Sequence, residues 1–462
     1  MLVVNASDFG PLSVNETPPN KDVADLRSNQ LPGDVGIVII GSGMTGLSAA
    51  RHLLKSPPAK GPLRIAMVEA RQACSGTTGS NGGQITTASF AEYNSTKALL
   101  GREEALKVIH LPASSAAAMM EAAGELNPEG CDAAEATMFP RTVGGFVGSP
   151  EISGALWPYR FVMHMLKELL DVYPNFSLDT NTSVTNISTV QDHSPLANNS
   201  SLPTFVVNTE RGAIRTRHVI HAENAWIPHL VPGLQGKLTG GRLHMSAQLA
   251  GASIPKAQDW APIWPRNDPT KAVYRTLNTD SDYIVQLPKN GEFMMGGGGG
   301  GDSSKVAWYD ESSPPDLGIS AYLDGAMASY FGGENYGAER TDFPQPDDPN
   351  VWKGRTKRVW TGVKANSPDG RPLVGRLPTA VTTRPVPLNA RGAEWISTGY
   401  DGQGMCWAYL CARALSSSIL SFENSPGNGT DAYPDWFPWS LVASEARLAG
   451  ASAGSNRTRL AR

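Results

Sequence analysis

Residues 35–40, Val-Gly-Ile-Val-Ile-Ile, form a nearly unbroken β-branched run that predicts a buried strand. Residues 47–54 then carry apolar positions at helical spacing, and residues 63–68 read as a second apolar strand. Residues 102–126 predict a helix, with Glu103 and Glu104 in its first turn, an alanine-rich body and Pro112 dividing it. The strongest amphipathic pattern is 156–173, where Leu156, Phe161, Met165, Leu166, Leu169 and Leu170 share one face and Pro158 sits near the start. Short strands are expected at 176–178, 183–187, 205–207 and 217–222, separated at 191–203 by a polar surface loop.

The second half has a different rhythm. Residues 243–286 mix short strand-like runs with Pro, Trp and Asp and lack the strand–helix–strand alternation. Residues 293–295 run into six glycines, 296–301, which read as a strand-end bend or mobile loop. A helical stretch lies near 321–330. A strand at 359–364 is followed by a turn-rich hairpin signal at 365–375. Residues 394–398 form a strand that ends in a glycine-rich loop, 399–405, and a helix at 406–421. This is a second strand–glycine loop–helix unit.

Composition narrows the function classes. A chain of 462 residues exceeds one simple core and suggests two domains. The net charge of −4, with both signs well mixed, gives no pointer to nucleic acid or an anionic membrane. No apolar run is long enough to span a bilayer. Residues 1–32 lack the basic and apolar regions of a signal peptide and read as a mobile lead-in. The four cysteines, Cys74, Cys131, Cys406 and Cys411, show no C-x-x-C spacing, so a reduced, cytoplasmic protein is expected. Sequons are frequent, but without a secretion signal they read as a consequence of the Ser/Thr/Asn-rich composition. The eight histidines show no H-x-x-x-H metal spacing, and no metal is expected.

Gly41-Ser42-Gly43-Met44-Thr45-Gly46 has the spacing G-x-G-x-x-G between a strand and a helix, with Glu69 ending the next strand. That context is what a dinucleotide needs. Gly41 allows the tight turn, Gly43 lets the backbone approach a pyrophosphate, and Gly46 lets the helix pack on the strand. The helix N-terminus then offers free N–H groups to the phosphates. Glu69 suits an unphosphorylated ribose, which disfavours NADP and leaves NAD and FAD. The loop after Glu69, which contains Gly76, Thr77, Thr78, Asn81, Gly82, Gly83 and Gln84, is dense in backbone and short side-chain donors. The second glycine unit lies far away in sequence, and one long ligand touching both favours FAD.

The ordered motifs together resemble the FAD-dependent oxidoreductases of the D-amino-acid oxidase superfamily, over residues 35–422. Within that superfamily the chain looks like the gamma-glutamylputrescine oxidase-like and related fungal oxidoreductases. The motifs that carry the resemblance are Gly41 to Gly46, Glu69-Ala70-Arg71, the 75–84 loop, 219–226, Ser367-Pro368-Asp369-Gly370 and Gly399-Tyr400-Asp401-Gly402-Gln403-Gly404-Met405. The resemblance implies an α/β fold with an α+β second domain: a Rossmann-like FAD-binding domain and a mostly antiparallel substrate-binding sheet. The FAD domain is then discontinuous (33–100, 151–240 and 355–425), the substrate domain comprises 101–150 and 241–354, and 426–462 is a tail. It implies that Glu69, Ala70 and Arg71 hold the adenosine end and that Val184 meets the adenine through its backbone. Ala222 and Trp226 line the cofactor, and the 399–405 loop closes on the isoalloxazine.

Departures from the family pattern bear on the chemistry. Ser80 stands where the family loop carries Arg, and Gln403 where it carries His. The sarcosine-oxidase branch attaches its flavin through a Cys near Gly362, whereas this chain reads Thr361-Gly362-Val363, so FAD is expected to be non-covalent. That branch also has a Lys promoting reaction with oxygen, and Met294 stands at about that place in this chain. The expected reaction is oxidation of a C–H next to an amine, by hydride transfer to flavin N5, in a small-molecule substrate, with O₂ or another electron acceptor. His244, Tyr283, Lys364 and Gln403 are the candidate catalytic side chains, and Arg371 is a further cation for a substrate carboxylate. The alternatives are FAD-dependent dehydrogenation of a non-amine metabolite, or a flavin- or NAD-binding module without turnover.

Overall fold

A computed structural model describes residues 20–56, 61–85, 92–126, 134–137, 154–190, 204–254, 272–277, 282–286, 292–298, 314–332, 336–338, 355–384, 386, 392–425 and 431–449. The strands, in chain order, are β1 (Asp34–Ile40), β2 (Ile65–Val68), β3 (Gln84–Ile85), β4 (Ala134–Thr137), β5 (Gly154–Ala155), β6 (Phe176–Asp179), β7 (Val184–Thr189) and β8 (Phe205–Thr209). They continue as β9 (Gly212–His221), β10 (Thr239–Gln248), β11 (Ala272–Leu277), β12 (Asp282–Gln286), β13 (Phe293–Gly296), β14 (Thr356–Asn366), β15 (Leu373–Arg376) and β16 (Ala393–Thr398). The long helices are α1 (Met44–Lys55), α2 (Arg102–Leu126), α3 (Pro158–Val172), α4 (Leu317–Phe331) and α5 (Gly404–Asn424).

Among the described residues the strands form two eight-stranded sheets. The first has the order β15-β16-β9-β1-β2-β6, with β8 pairing the outer half of β9 and β7 pairing β8. Its centre is parallel, and β2 is buried at all four positions, as an apolar run without alternation requires. α1 and α5 pack together at small residues: the Ser48 hydroxyl donates to the Tyr409 carbonyl at 2.6 Å, and Ser416 to the Ala49 carbonyl at 3.2 Å. The second sheet has the order β14-β10-β13-β12-β11-β4-β5-β3 and is antiparallel except at β11 and β4. One of its faces, with Ile284, Phe293 and Met295, packs on Leu323 and Met327 of α4. The other presents Met245, Ala247, Val285, Met294 and Trp360. These two layers match the fold class expected from the chain.

Several local expectations are corrected. α2 runs unbroken through Pro112. Leu111, Pro112, Ala116 and Met119 are buried, and the Leu410 N–H of α5 donates to Ser115, so packing outweighs the loss of one helical hydrogen bond. The 365–375 turn closes no hairpin. β14 pairs with β10 in the second sheet, whereas β15 pairs with β16 in the first, so the turn carries the chain between sheets. β14 thus lies in the second sheet, and α2 packs against α5.

Residues 20–32 are not a loose lead-in. Val23 and Ala24 are buried, and the Ser28 N–H and hydroxyl both donate to Asp179, at 2.9 and 2.6 Å. Residues 431–449 are likewise packed rather than a tail, with Phe437, Leu441 and Leu448 buried. The glycine run begins as a strand-end bend. Gly297 and Gly298 have φ of +141° and +69°, and the Gly298 N–H donates to Asp282 at 2.8 Å. The 191–203 loop and Cys131 lie outside the described residues. No described helix is long and apolar enough to cross a membrane.

Candidate active site

The site is assembled where the carboxyl ends of β1, β2, β9 and β16 meet the inner face of the second sheet. Gly41 leaves β1 with φ +102°, and a Cβ there would lie 2.7 Å from the Ala222 carbonyl. Ala222 in turn donates its N–H to the Ile40 carbonyl at 3.0 Å. At Gly46 a Cβ would sit 2.0 Å from the Gly41 carbonyl, so only glycine lets the first turn of α1 close on the strand end. The Glu69 carboxylate reaches back to this loop, accepting from the Ser42 N–H at 3.0 Å, the Ser42 hydroxyl at 2.7 Å and the Arg71 N–H at 3.2 Å. Ala70 and Arg71 are exposed beside it. Thr182, two residues before Val184 at the start of β7, donates its N–H to the Glu69 carbonyl at 2.8 Å.

The 76–84 loop joins both layers. Thr78 Oγ1 accepts from the Met44 N–H at 3.1 Å, capping α1, and a Cβ at Gly43 would approach the same oxygen to 3.0 Å. The Thr77 hydroxyl donates to the Val363 carbonyl of β14 at 2.6 Å. Asn224 has φ +57°, and its amide donates to both Thr77 Oγ1 and that carbonyl, at 3.1 and 2.8 Å. Asn81 is folded onto its own loop, donating to the Thr78 carbonyl at 2.9 Å and accepting from the Gly83 N–H at 2.8 Å. Gly83 has φ +78°, and a Cβ there would sit 2.0 Å from the Leu156 carbonyl. Trp226 stacks on His229, with ring centroids 5.8 Å apart.

The last loop closes against the first. The Tyr400 hydroxyl shares hydrogen bonds with Thr45 Oγ1 at 3.0 Å and Ser397 Oγ at 2.8 Å, and burial pushes its ionisation well above the ordinary phenol range. Asp401 and Gly402 have φ of +51° and +88°. Gln403 is exposed, precedes Gly404 and Met405 at the start of α5, and accepts from Trp407 Nε1 at 3.4 Å.

Strand alternation decides which candidate side chains face this site. Leu243 and Met245 of β10 point inward: a Cβ at Gly402 would meet Leu243 Cδ1 at 4.0 Å, and one at Gly82 would meet Met245 Cε at 2.8 Å. His244 therefore points to the other face. There its Nε2 accepts from the Asp316 N–H at the start of α4 at 3.0 Å, and burial, then Arg242, lowers its pKa. His244 is thus a neutral acceptor spent on a helix end, not a site group. Tyr283 does face inward, its hydroxyl 2.9 Å from Met245 Sδ. Met294 lines the same face, 3.5 Å from a Cβ at Gly82. Lys364 is inward too, its stem laid between Gly241 and Gly402 and its ammonium 3.6 Å from Asp401. Arg371 is paired with Asp369 at 2.8 Å.

Trp360 and Met245 are site-facing residues that the motifs missed. Trp360 Nε1 donates to the Ser80 carbonyl at 2.7 Å, and a Cβ at Gly362 would lie 2.6 Å from Ser80 Oγ. Period-two alternation from Gly362 would have flagged Trp360, and Met245 pairs directly with it. Behind the site, fully buried His221 sits between two carboxylates, Glu223 at 2.8 Å and Glu394 at 3.0 Å. Burial alone would lower its pKa, but the two carboxylates win and raise it to about 9.

The family model described as FAD dependent oxidoreductase (DAO) matches residues 36–418. No curated protein matches the chain. Among solved structures it is similar to glycine oxidase from Geobacillus kaustophilus, at 14% identity and a TM-score of 0.57, covering 89% of this chain and 99% of that one. L-proline dehydrogenase from P. horikoshii gives 15% identity and a TM-score of 0.55, covering 86% and 96%. L-amino acid deaminase from Proteus vulgaris, lacking its specific insertion sequence, gives 16% and 0.51, covering 88% and 95%. At such identities the likeness is one of fold. The family match spans most of the chain, and the protein belongs to the FAD-dependent oxidoreductase (DAO) family.

Proposed function

We propose that the protein oxidises a C–H bond next to the amino group of a small molecule, using FAD held without a covalent link. The observation that carries this is the inward face of the second sheet: Met245, Val285, Met294 and Trp360 form a buried apolar cluster packed against the 76–84 loop, with the partly exposed Lys364 on the same face.

FAD is the family's cofactor, and the residues present fit it. Gly43, Glu69, Thr77, Thr78, Asn81 and Gly404 are partly exposed and Gly402 is exposed, and Thr45 and Tyr400 tie the first glycine loop to the last. In this reading Gly41 to Gly46 hold the pyrophosphate, Glu69 and Arg71 the ribose, and Val184 the adenine, while the 76–84 and 399–405 loops hold the ring end. The first sheet and its helices then form the cofactor-binding part, and the second sheet the substrate-binding part. Bound FAD supplies the acceptor for a hydride.

The chain's own residues supply the surroundings. The apolar cluster disfavours an ammonium and keeps the amine neutral, the form with a lone pair to assist C–H cleavage. It also excludes water. Lys364 offers a cation to an acidic group of the substrate. The N-terminus of α5 favours negative charge at the ring end. Position 362 has no side chain to form a covalent link, and Met294 puts no charge where the oxygen-using branch has Lys, so reoxidation by O₂ is slow.

Anaerobic mixing of the purified yellow protein with panels of amines, amino acids and non-amine alcohols tests the proposal. Bleaching by amino compounds is expected. Bleaching by non-amine compounds alone overturns it.

A further inference from the structure

Residues 431–449 lie beyond the stretch that matches the family, yet they are bound tightly to the site's framework. Ala443 donates its N–H to the Val374 carbonyl at 2.8 Å, and Ala443 and Leu448 are buried in one cluster with Val363 and Ala365 of β14. The Ser440 N–H donates to Glu104 of α2 at 2.7 Å. Arg447 is the most engaged side chain. Its Nε and Nη2 donate to the two oxygens of Asp369 at 3.0 and 2.8 Å, its Nη1 to the Pro372 carbonyl at 2.9 Å, and its Nη2 to the Arg371 carbonyl at 3.1 Å. The guanidinium thus clamps both ends of the Asp369–Pro372 turn.

The other side of that turn abuts the last glycine loop. Gly399 has φ +74°, and a Cβ there would lie 2.8 Å from Ser367 Cβ. A Cβ at Gly370 would lie 3.8 Å from Asp401 Oδ2, and the Asp401 N–H donates to the Ala365 carbonyl at 3.1 Å. A continuous path of contacts therefore runs from Arg447 through Asp369 and Ser367 to Gly399 and Asp401. Burial would raise the Asp369 pKa, but Arg447 and Arg371 hold it below the ordinary carboxylate range, so the clamp is charged throughout the neutral range.

We propose that residues 431–449 form a strap that sets the position of the 399–405 loop, with Arg447 as a positioning residue acting through Asp369. This rests on the reading that the 399–405 loop lies at the ring end of FAD.

The test uses full-length holoenzyme carrying Arg447→Met, Asp369→Asn or Gly402→Val. The readouts are bound FAD per chain and the visible circular dichroism of the flavin, both taken well below each variant's Tm. For Arg447→Met the expected result is retained FAD, because its other end is held at Gly41 to Gly46, with the dichroism roughly halved or changed in sign. Asp369→Asn is expected to change it in the same direction, and it decides the matter if Arg447→Met does not fold. Gly402→Val perturbs the loop itself. If it changes the spectrum while the other two match the wild type and lose only Tm, the strap merely stabilises and the proposal falls. If Gly402→Val also leaves the spectrum unchanged, the loop is not at the ring, and both readings fall.

Discussion

Thr45 and Tyr400 lie 355 positions apart and share a buried hydrogen bond of 3.0 Å. Thr45 belongs to the first glycine loop and Tyr400 to the last, so this contact closes the site on itself. Tyr400→Phe leaves the Thr45 and Ser397 hydroxyls without that partner. A loss of about 1–3 kcal/mol is expected in denaturant unfolding. FAD affinity, measured by fluorescence titration of the apoprotein, should fall with it. Unchanged stability and affinity would mean that the two loops are held together by other contacts.

The glycine loop gives a harsher prediction. A methyl group at Gly46 would stand 2.0 Å from the Gly41 carbonyl, and backbone cannot move aside cheaply. Gly46→Ala should yield protein without bound FAD, or no folded protein. A yellow, stoichiometric Gly46→Ala holoprotein would refute the tight turn.

Stability should depend on pH through His221. Its folded pKa of about 9 lies above the ordinary 6.5, so its contribution is fully present below about 6.5 and is lost as pH rises through about 9. The size is roughly 3 kcal/mol from the shift alone. His52 works in the opposite sense. Burial lowers its pKa to about 4, so its contribution is present above 6.5 and lost as pH falls through about 4. Urea unfolding across pH 3.5 to 10 measures both, and His221→Gln should flatten the alkaline limb.

Lys364 bears on specificity. If it receives an acidic group of the substrate, Lys364→Met should weaken binding of carboxylate-bearing amines by about 10- to 100-fold. Neutral amines should be affected little. The perturbation of the flavin spectrum on titration reads both, and an equal loss for the two classes would remove Lys364 from recognition.

Met294 is the place to change the electron acceptor. It is 1% exposed and lies on the inward face. Met294→Lys should speed reoxidation of the reduced protein by O₂ by roughly 10- to 100-fold, through a positive charge beside the reacting centre. Stopped-flow mixing of reduced enzyme with aerated buffer measures it, and no acceleration would show that the charge does not reach the reaction.

How much of this was written in the order of residues depends on the range of each interaction. The β1–α1–β2 unit, the two glycine loops and α3 with Pro158 at its first position are local. Their sterics and periodicity act within a few residues, and the sequence alone determined them and, with the ordered motifs, the family and its cofactor. The longer-range features were decided elsewhere. Pro112 predicted a break, but burial against α5 holds α2 together. The 365–375 turn announced a reversal but not its destination, because turn chemistry is silent about which sheet edge offers partners. His244 was the more reactive residue type, yet strand alternation turned its neighbour Met245 to the site. Residues 426–462 read as a tail, and only folding brings Arg447 to Asp369, 78 positions away. Local sterics fix where the chain turns and what backbone it offers. Only burial and pairing between distant segments fix which side chains meet, and in this protein those meetings place Lys364, Met245 and Trp360 on one face of the second sheet, at the candidate site.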